Sequence, residues 1–196
     1  SYFVKIFTPL YNAALRWATH RHASRYLSAL SFAESSFFPI PPDVMLAPMV
    51  LARRDRAWFL AGLTTVASVA GGLFGYLIGK FLFGTVAEPI IEFYDAGSAF
   101  ERARTWFEIY GVWVVFVAGF TPIPYKIFTI SAGLIGMSLV PFILASLVGR
   151  GARFFLVAGL ILLGGEALET QLRRHVDAIG WVTVVGLISG LLWLSG

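Results

Sequence analysis

The sequence predicts an all-α multi-pass membrane protein built from two re-entrant helical hairpins, each followed by a transmembrane helix. Three observations predict it. Hydrophobic residues make up 58% of the 196-residue chain and charged residues only 13%, with a mean hydropathy of +0.77; a soluble domain carries about a quarter charged residues. Two stretches, Ala57 to Gly79 and Ile127 to Gly149, each run 23 residues without a charge. That length crosses a hydrocarbon core of ~30 Å at ~1.5 Å per residue. Finally, one phrase occurs twice, 83 residues apart: Phe38-Pro39-Ile40-Pro41-Pro42-Asp43 and Phe120-Thr121-Pro122-Ile123-Pro124-Tyr125-Lys126. Proline removes a backbone donor and blocks helix continuation. Non-helical backbone at membrane depth survives only inside protein or against a water-filled cavity. The breaks at Pro39, Pro41, Pro42, Pro122 and Pro124 therefore mark a polar site within the bilayer.

The elements follow in order. Residues 1–25 mix aromatics with Lys5, Arg16, His20, Arg21, His22 and Arg25, which reads as an interfacial amphipathic helix. Residues 26–52 form the first hairpin. Its first arm, Tyr26 to Phe38, has 13 residues and reaches only ~20 Å as helix. Arg16, Arg21 and Arg25 precede the hairpin and Arg53, Arg54 and Arg56 follow it. Placing both clusters on the cytoplasmic side satisfies the positive-inside rule; a full crossing would not.

Residues 57–80 then cross outward, carrying Gly71, Gly75 and Gly79 at a spacing that lets another helix approach closely. We expect that packing within the monomer rather than in a dimer. Residues 84–108 hold five acids, Glu88, Glu92, Asp95, Glu101 and Glu108, against Arg102 and Arg104; this reads as an outer amphipathic segment. The second hairpin occupies 109–136 and enters from the opposite face. Residues 138–165 cross back, and residues 181–196 form a last span. A rival topology makes Ile127 to Gly149 a span, but it strands Phe154 to Gly165, which is too short to cross alone. Hairpin-plus-span repeated in opposite orientation is an inverted repeat, an architecture of secondary transporters.

Composition also excludes. Without cysteine there are no disulfides, thiolate catalysis or cysteine-ligated metals. The three histidines lack H-E-x-x-H spacing, and there is no G-x-S-x-G elbow or P-loop. Neither an enzyme nor a metal nor any other cofactor is expected. The net charge of +4 sits beside apolar segments as a topology signal and does not indicate nucleic acid. The oligomeric state is not encoded in any legible way.

Five ionisable residues fall inside the predicted membrane elements: Glu34, Asp43, Lys126, Arg150 and Arg153. Each charge costs ~2.5–3.5 kcal/mol at midplane unless it finds a partner or water. The bland reading is a set of ion pairs that fastens the hairpins, with Asp43 and Lys126 as the obvious pair. The functional reading is a site in which acids exchange protons while bases hold an anionic group, for which phosphate is a natural partner. Ser35, Ser36, Thr121 and Ser131 near the breaks are read as satisfying freed backbone groups.

The stretch from Glu34 to Asp43, then Gly71 to Gly79 with Tyr76 and Lys80, then Phe120 to Lys126 with Ala132-Gly133, resembles the DedA family. The family is also called the SNARE-associated or VTT-domain family, and the likeness is greatest to its YqaA-like branch. The resemblance covers roughly residues 27–165. It implies a bacterial inner-membrane protein with two opposed re-entrant hairpins. It further implies proton-dependent transport of undecaprenyl phosphate or phospholipids. Glu34 and Asp43 match the family's membrane acids, and Lys126 falls close to one of its essential arginines. Where the family often has an arginine before the second proline break, this chain has Gly119; Arg150 and Arg153 are the candidates to supply that charge.

The leading expectation is thus a lipid flippase whose Lys126, with Arg150 or Arg153, holds the phosphate while Glu34 and Asp43 carry protons. The rivals are a proton-coupled exporter of small cations, with Glu34 and Asp43 binding substrate, and a non-transporting scaffold for envelope integrity.

Overall fold

The computed structural model describes residues 7–37, 42–121 and 125–195, and among them every regular element is helical. Pro39, Pro41, Pro122 and Pro124 lie outside the described residues. The helices are α1 (Phe7–Ala18), α2 (Ala23–Ser36), α3 (Asp43–Ala52), α4 (Ala57–Leu82), α5 (Glu88–Phe93), α6 (Gly97–Phe120), α7 (Tyr125–Ile135) and α8 (Leu139–Ser195). Two helical stretches are long and apolar enough to cross a membrane, Arg54–Phe93 and Leu139–Gly165. Large apolar side chains such as Phe81, Trp113 and Leu163 stand exposed on α4, α6 and α8. Water penalises so much exposed apolar surface and lipid does not.

Three boundaries differ from the sequence reading. The division at residue 109 between an outer segment and a hairpin arm is absent, because α6 runs unbroken from Gly97 to Phe120. Arg104 lies 3.8 Å from Glu101 and 3.7 Å from Glu108. Such i,i+3 and i,i+4 pairs support helix through the charged stretch. The outer segment itself is split: a wide π turn at Phe83–Ala87 leads into α5, and Asp95 turns the chain with φ 51°. Residues 181–195 are not a separate element either. They continue α8, which breaks once, at Gly165 (φ 51°, ψ −141°), a backbone conformation that glycine adopts without steric cost.

The packing has the same pattern in both halves. Helix α2 packs on α4 as α6 packs on α8; α7 packs on α4 as α3 packs on α8. Glycine permits the closest approaches. A Cβ on Gly71 would collide with the Phe32 carbonyl of α2, one on Gly79 with the Ile130 carbonyl of α7, and one on Gly133 with the Tyr76 carbonyl of α4. A Cβ on Gly149 would lie 2.6 Å from the Phe116 carbonyl of α6. Gly75 faces Thr129 and the Ser35 carbonyl. The glycines of α4 are therefore used inside the monomer.

Two apolar cores result. One gathers Leu27, Leu46, Leu60, Phe154 and Ile161; the other gathers Tyr76, Phe107, Val115, Tyr125 and Phe142. On α4 the buried Thr64, Thr65 and Ser68 lie between the residues given to each core. On α8 the buried Ser146 and Arg150 do the same. A polar layer thus crosses the molecule between two apolar ones. At the far end of the first core, the start of α2 (Ala23, Ser24) and the end of α3 (Met49, Arg53) line a single recess.

Candidate functional site

Helix α8 sends two arginines, one helical turn apart, into the polar layer. Arg150 is enclosed, with 1% of its side chain exposed. Its Nη2 donates to Glu34 Oε2 at 2.5 Å and its Nε to Ser68 Oγ at 2.6 Å. Ser35 Oγ lies 2.6 Å from Ser68 Oγ and 3.4 Å from Arg150 Nη2. The guanidinium is flanked by two rings, Tyr125 at 4.7 Å and Phe154 at 4.8 Å from ring centroid to Cζ. Tyr125 in turn donates its hydroxyl to Ser146 Oγ. A charged group this deep is tolerated only when paired and hydrogen-bonded, and every contact named here serves that end.

Arg153 is held differently. Its Nη2 pairs with Asp43 Oδ2 and its Nη1 donates to the Thr121 carbonyl at 2.7 Å. Asp43 opens α3 directly after Pro42, and Thr121 closes α6 directly before the second proline break. One guanidinium therefore joins the two broken elements. Both partners keep some access, 17% for Arg153 and 24% for Asp43. Asp43 Oδ1 is buried and has no hydrogen-bond partner among the described residues.

Thus Glu34, Asp43, Arg150 and Arg153 come together as two ion pairs on one face of α8. The ion pair of Asp43 is with Arg153. Lys126 stands half-buried on the first turn of α7, beside Tyr125. Its carbonyl accepts from Thr129 Oγ1 at 3.0 Å, and the same hydroxyl lies 3.1 Å from the Ser35 carbonyl, tying α7 to α2. Gly119 lies against Arg150, where a Cβ would meet the Arg150 backbone nitrogen at 3.3 Å. Of the break prolines, Pro42 is described; it is buried and caps α3 with φ −66° and ψ −17°.

Two side chains of the network carry no sequence signal of their own: Ser68 sits in an uncharged span and Ser146 in an apolar one. The seryl groups near the first break divide in role. Ser36 donates to the carbonyls of Phe32 and Gly71 at 2.9 and 2.7 Å, whereas Ser35 belongs to the arginine network. Among the described residues no group of histidines and carboxylates is placed to hold a metal.

Comparison with known proteins places the chain among membrane proteins. The VTT domain family matches residues 40–163. An uncharacterized protein of Haemophilus influenzae is 46% identical over 182 residues, 93% of this chain and 94% of that one. Undecaprenyl phosphate transporter A of Staphylococcus aureus is 36% identical over 110 residues, 52% of this chain and 51% of its own. Inner membrane protein YqaA of Escherichia coli is 25% identical over 138 residues, 70% and 90% of the two chains. No solved structure matches.

Proposed function

Because the chain belongs to the VTT-domain family, also called DedA, we propose that it moves a lipid with an anionic headgroup between the leaflets of the bacterial inner membrane. Undecaprenyl phosphate and phospholipids are the substrates this reading favours. The transporter name of the Staphylococcus aureus relative supports it. The observation that carries it is the Asp43–Arg153–Thr121 bridge, a partly accessible cation between two broken elements.

In this proposal α2 with α3, and α6 with α7, are re-entrant hairpins entering from opposite faces, while α4 and α8 span. The recess shared by the start of α2 and the end of α3 supports one-sided entry. The equivalent packing of the two halves supports an inverted repeat. Residues 7–18 lie on the interface.

The chemistry follows from charge balance. With Asp43 ionised, Arg153 is neutralised and the two tips are fastened. A lipid phosphate arriving at Arg153 competes with the carboxylate, and the displaced Asp43 takes a proton, so the site stays near neutral in a medium that penalises net charge. Return of the carboxylate expels the phosphate. Coupling to protons is thus an exchange of one anion for another on a fixed guanidinium. Lys126 lies near the second break to meet the remaining phosphate charge. Glu34 and Arg150 hold the frame on which the exchange occurs.

Complete occupancy of Arg150 favours a second reading, in which both pairs only clasp the hairpins and the protein is a scaffold. Proteoliposomes separate the two. Purified protein should accelerate transbilayer movement of a fluorescent phosphate-bearing lipid over empty vesicles, with a rate that responds to an imposed pH gradient. A rate equal to that of empty vesicles refutes transport, and uptake of dye cations instead of lipid identifies an exporter.

A further inference from the structure

The recess at the opposite end of the first core has its own chemistry. Its rim is formed by His20 and Arg21 from the α1–α2 corner and by Arg53 and Arg56 from the α3–α4 corner, and Met49 and Leu60 help close its floor. The four cationic or hydrogen-bonding side chains come from two corners some thirty residues apart in sequence, so adjacency along the chain does not account for their meeting. Among the described residues no carboxylate pairs with Arg21, Arg53 or Arg56. Asp55, the one acid in these flanks, makes no ion pair there. Like charges held around one hollow repel, and a bound anion relieves that repulsion. The donors are also arranged. The His22 backbone N–H donates to His20 Nδ1 at 3.1 Å, which leaves the proton of the neutral ring on Nε2.

We infer that this recess is a binding site for a phosphate group at the membrane surface, carried by a lipid headgroup. Basic pockets at the cytoplasmic ends of membrane helices recognise anionic headgroups, and arginine is the residue suited to clasp phosphate through two donors. The hollow itself holds only about 20 Å³, roughly one water. The phosphate therefore lies across the rim, bonded to the arginines and His20, with its chains in the adjacent bilayer. Ala23, at the recess, and Glu34 are 11 residues apart along α2, about 16 Å of helix. The surface site is thus separate from the ion pairs and holds whether or not lipid is moved there.

The test uses the full chain in neutral-detergent micelles. Native mass spectrometry measures retention of phosphatidylglycerol, with phosphatidylcholine and inorganic phosphate as competing probes. Wild type should retain phosphatidylglycerol over phosphatidylcholine. The triple variant Arg21→Gln, Arg53→Gln, Arg56→Gln should lose at least about tenfold in that retention, because each juxtamembrane base adds to the attraction. The corresponding lysine variant keeps the topology signal and should fall between them. Arg102→Gln, at the acid-rich end, should change nothing. If inorganic phosphate displaces the lipid at equal concentration, the headgroup phosphate alone is recognised; if it does not, the chains contribute. Retention by the glutamine variant equal to wild type, in protein that remains monodisperse, overturns the proposal. Loss of retention with flipping intact upholds it and leaves the transport reading untouched.

Discussion

Arg150 and Arg153 are one turn apart on α8, and their surroundings assign them different tasks. Arg150 has no remaining access, and its removal leaves Glu34 without its ion-pair partner between two apolar cores. Arg150→Ala should therefore cost about 3–5 kcal/mol, the usual penalty for orphaning a buried charge, read as a large fall in melting temperature in detergent. Arg153→Gln leaves Asp43 with partial access to its surroundings. It should melt within a few degrees of wild type yet fail to flip a phosphate lipid. Equal destabilisation by both substitutions would argue that the two pairs are one clasp. The acids and bases of this layer were legible in sequence because a charge inside an apolar run is conspicuous. Their partners were not. Glu34 and Arg150 are 116 residues apart and Asp43 and Arg153 are 110, and linear order does not say which face of α8 meets which tip. The matching phrase endings suggest Asp43 with Lys126; the ion pair that Asp43 makes with Arg153 of α8 has no counterpart in that phrase.

At the scale of elements, the uncharged run Ala57 to Gly79 anticipates α4 nearly residue for residue, since length and hydropathy decide a crossing. The run Ile127 to Gly149 is instead divided between α7 and α8, and only the hairpin reading places a crossing at 138–165. The division placed at residue 109, between an outer amphipathic segment and the first arm of the second hairpin, falls inside α6. The Glu101–Arg104–Glu108 pairs let the helix continue through the charged stretch. The glycine spacing on α4 was legible as a site of close approach, but which helix fills it depends on α2 and α7. That dependence yields a sharp contrast. Gly79→Ala and Gly133→Ala each set a methyl against a backbone carbonyl of the facing helix, where overpacking costs about 1–3 kcal/mol or more. Gly84→Ala meets nothing within 4 Å and should be neutral. The three should separate in thermal stability, and a neutral Gly79→Ala would contradict the α4–α7 contact. Tyr76 donates to the Met137 carbonyl at 2.5 Å, so Tyr76→Phe should cost about 1 kcal/mol.

For the whole molecule, the re-entrant arrangement makes a prediction about sidedness. The chain lacks cysteine, so single cysteines at Arg21, Arg53 and Glu101 are unambiguous reporters. An impermeant thiol reagent should label the first two from the same side of the membrane and the third from the other. Labelling of positions 21 and 53 from opposite sides would turn the first pair into a full crossing. The central claim is narrower: the Asp43–Arg153 pair exchanges with a lipid phosphate and does more than fasten two tips. The measurement that tests it most directly is flipping by the double variant Asp43→Asn, Arg153→Gln in proteoliposomes. A neutral amide pair of similar shape can keep a hydrogen-bonded bridge without either charge. The exchange account predicts protein that folds and reconstitutes as wild type but moves phosphate lipid no faster than empty vesicles. Wild-type flipping by that neutral pair would contradict it and reduce the bridge to a clasp.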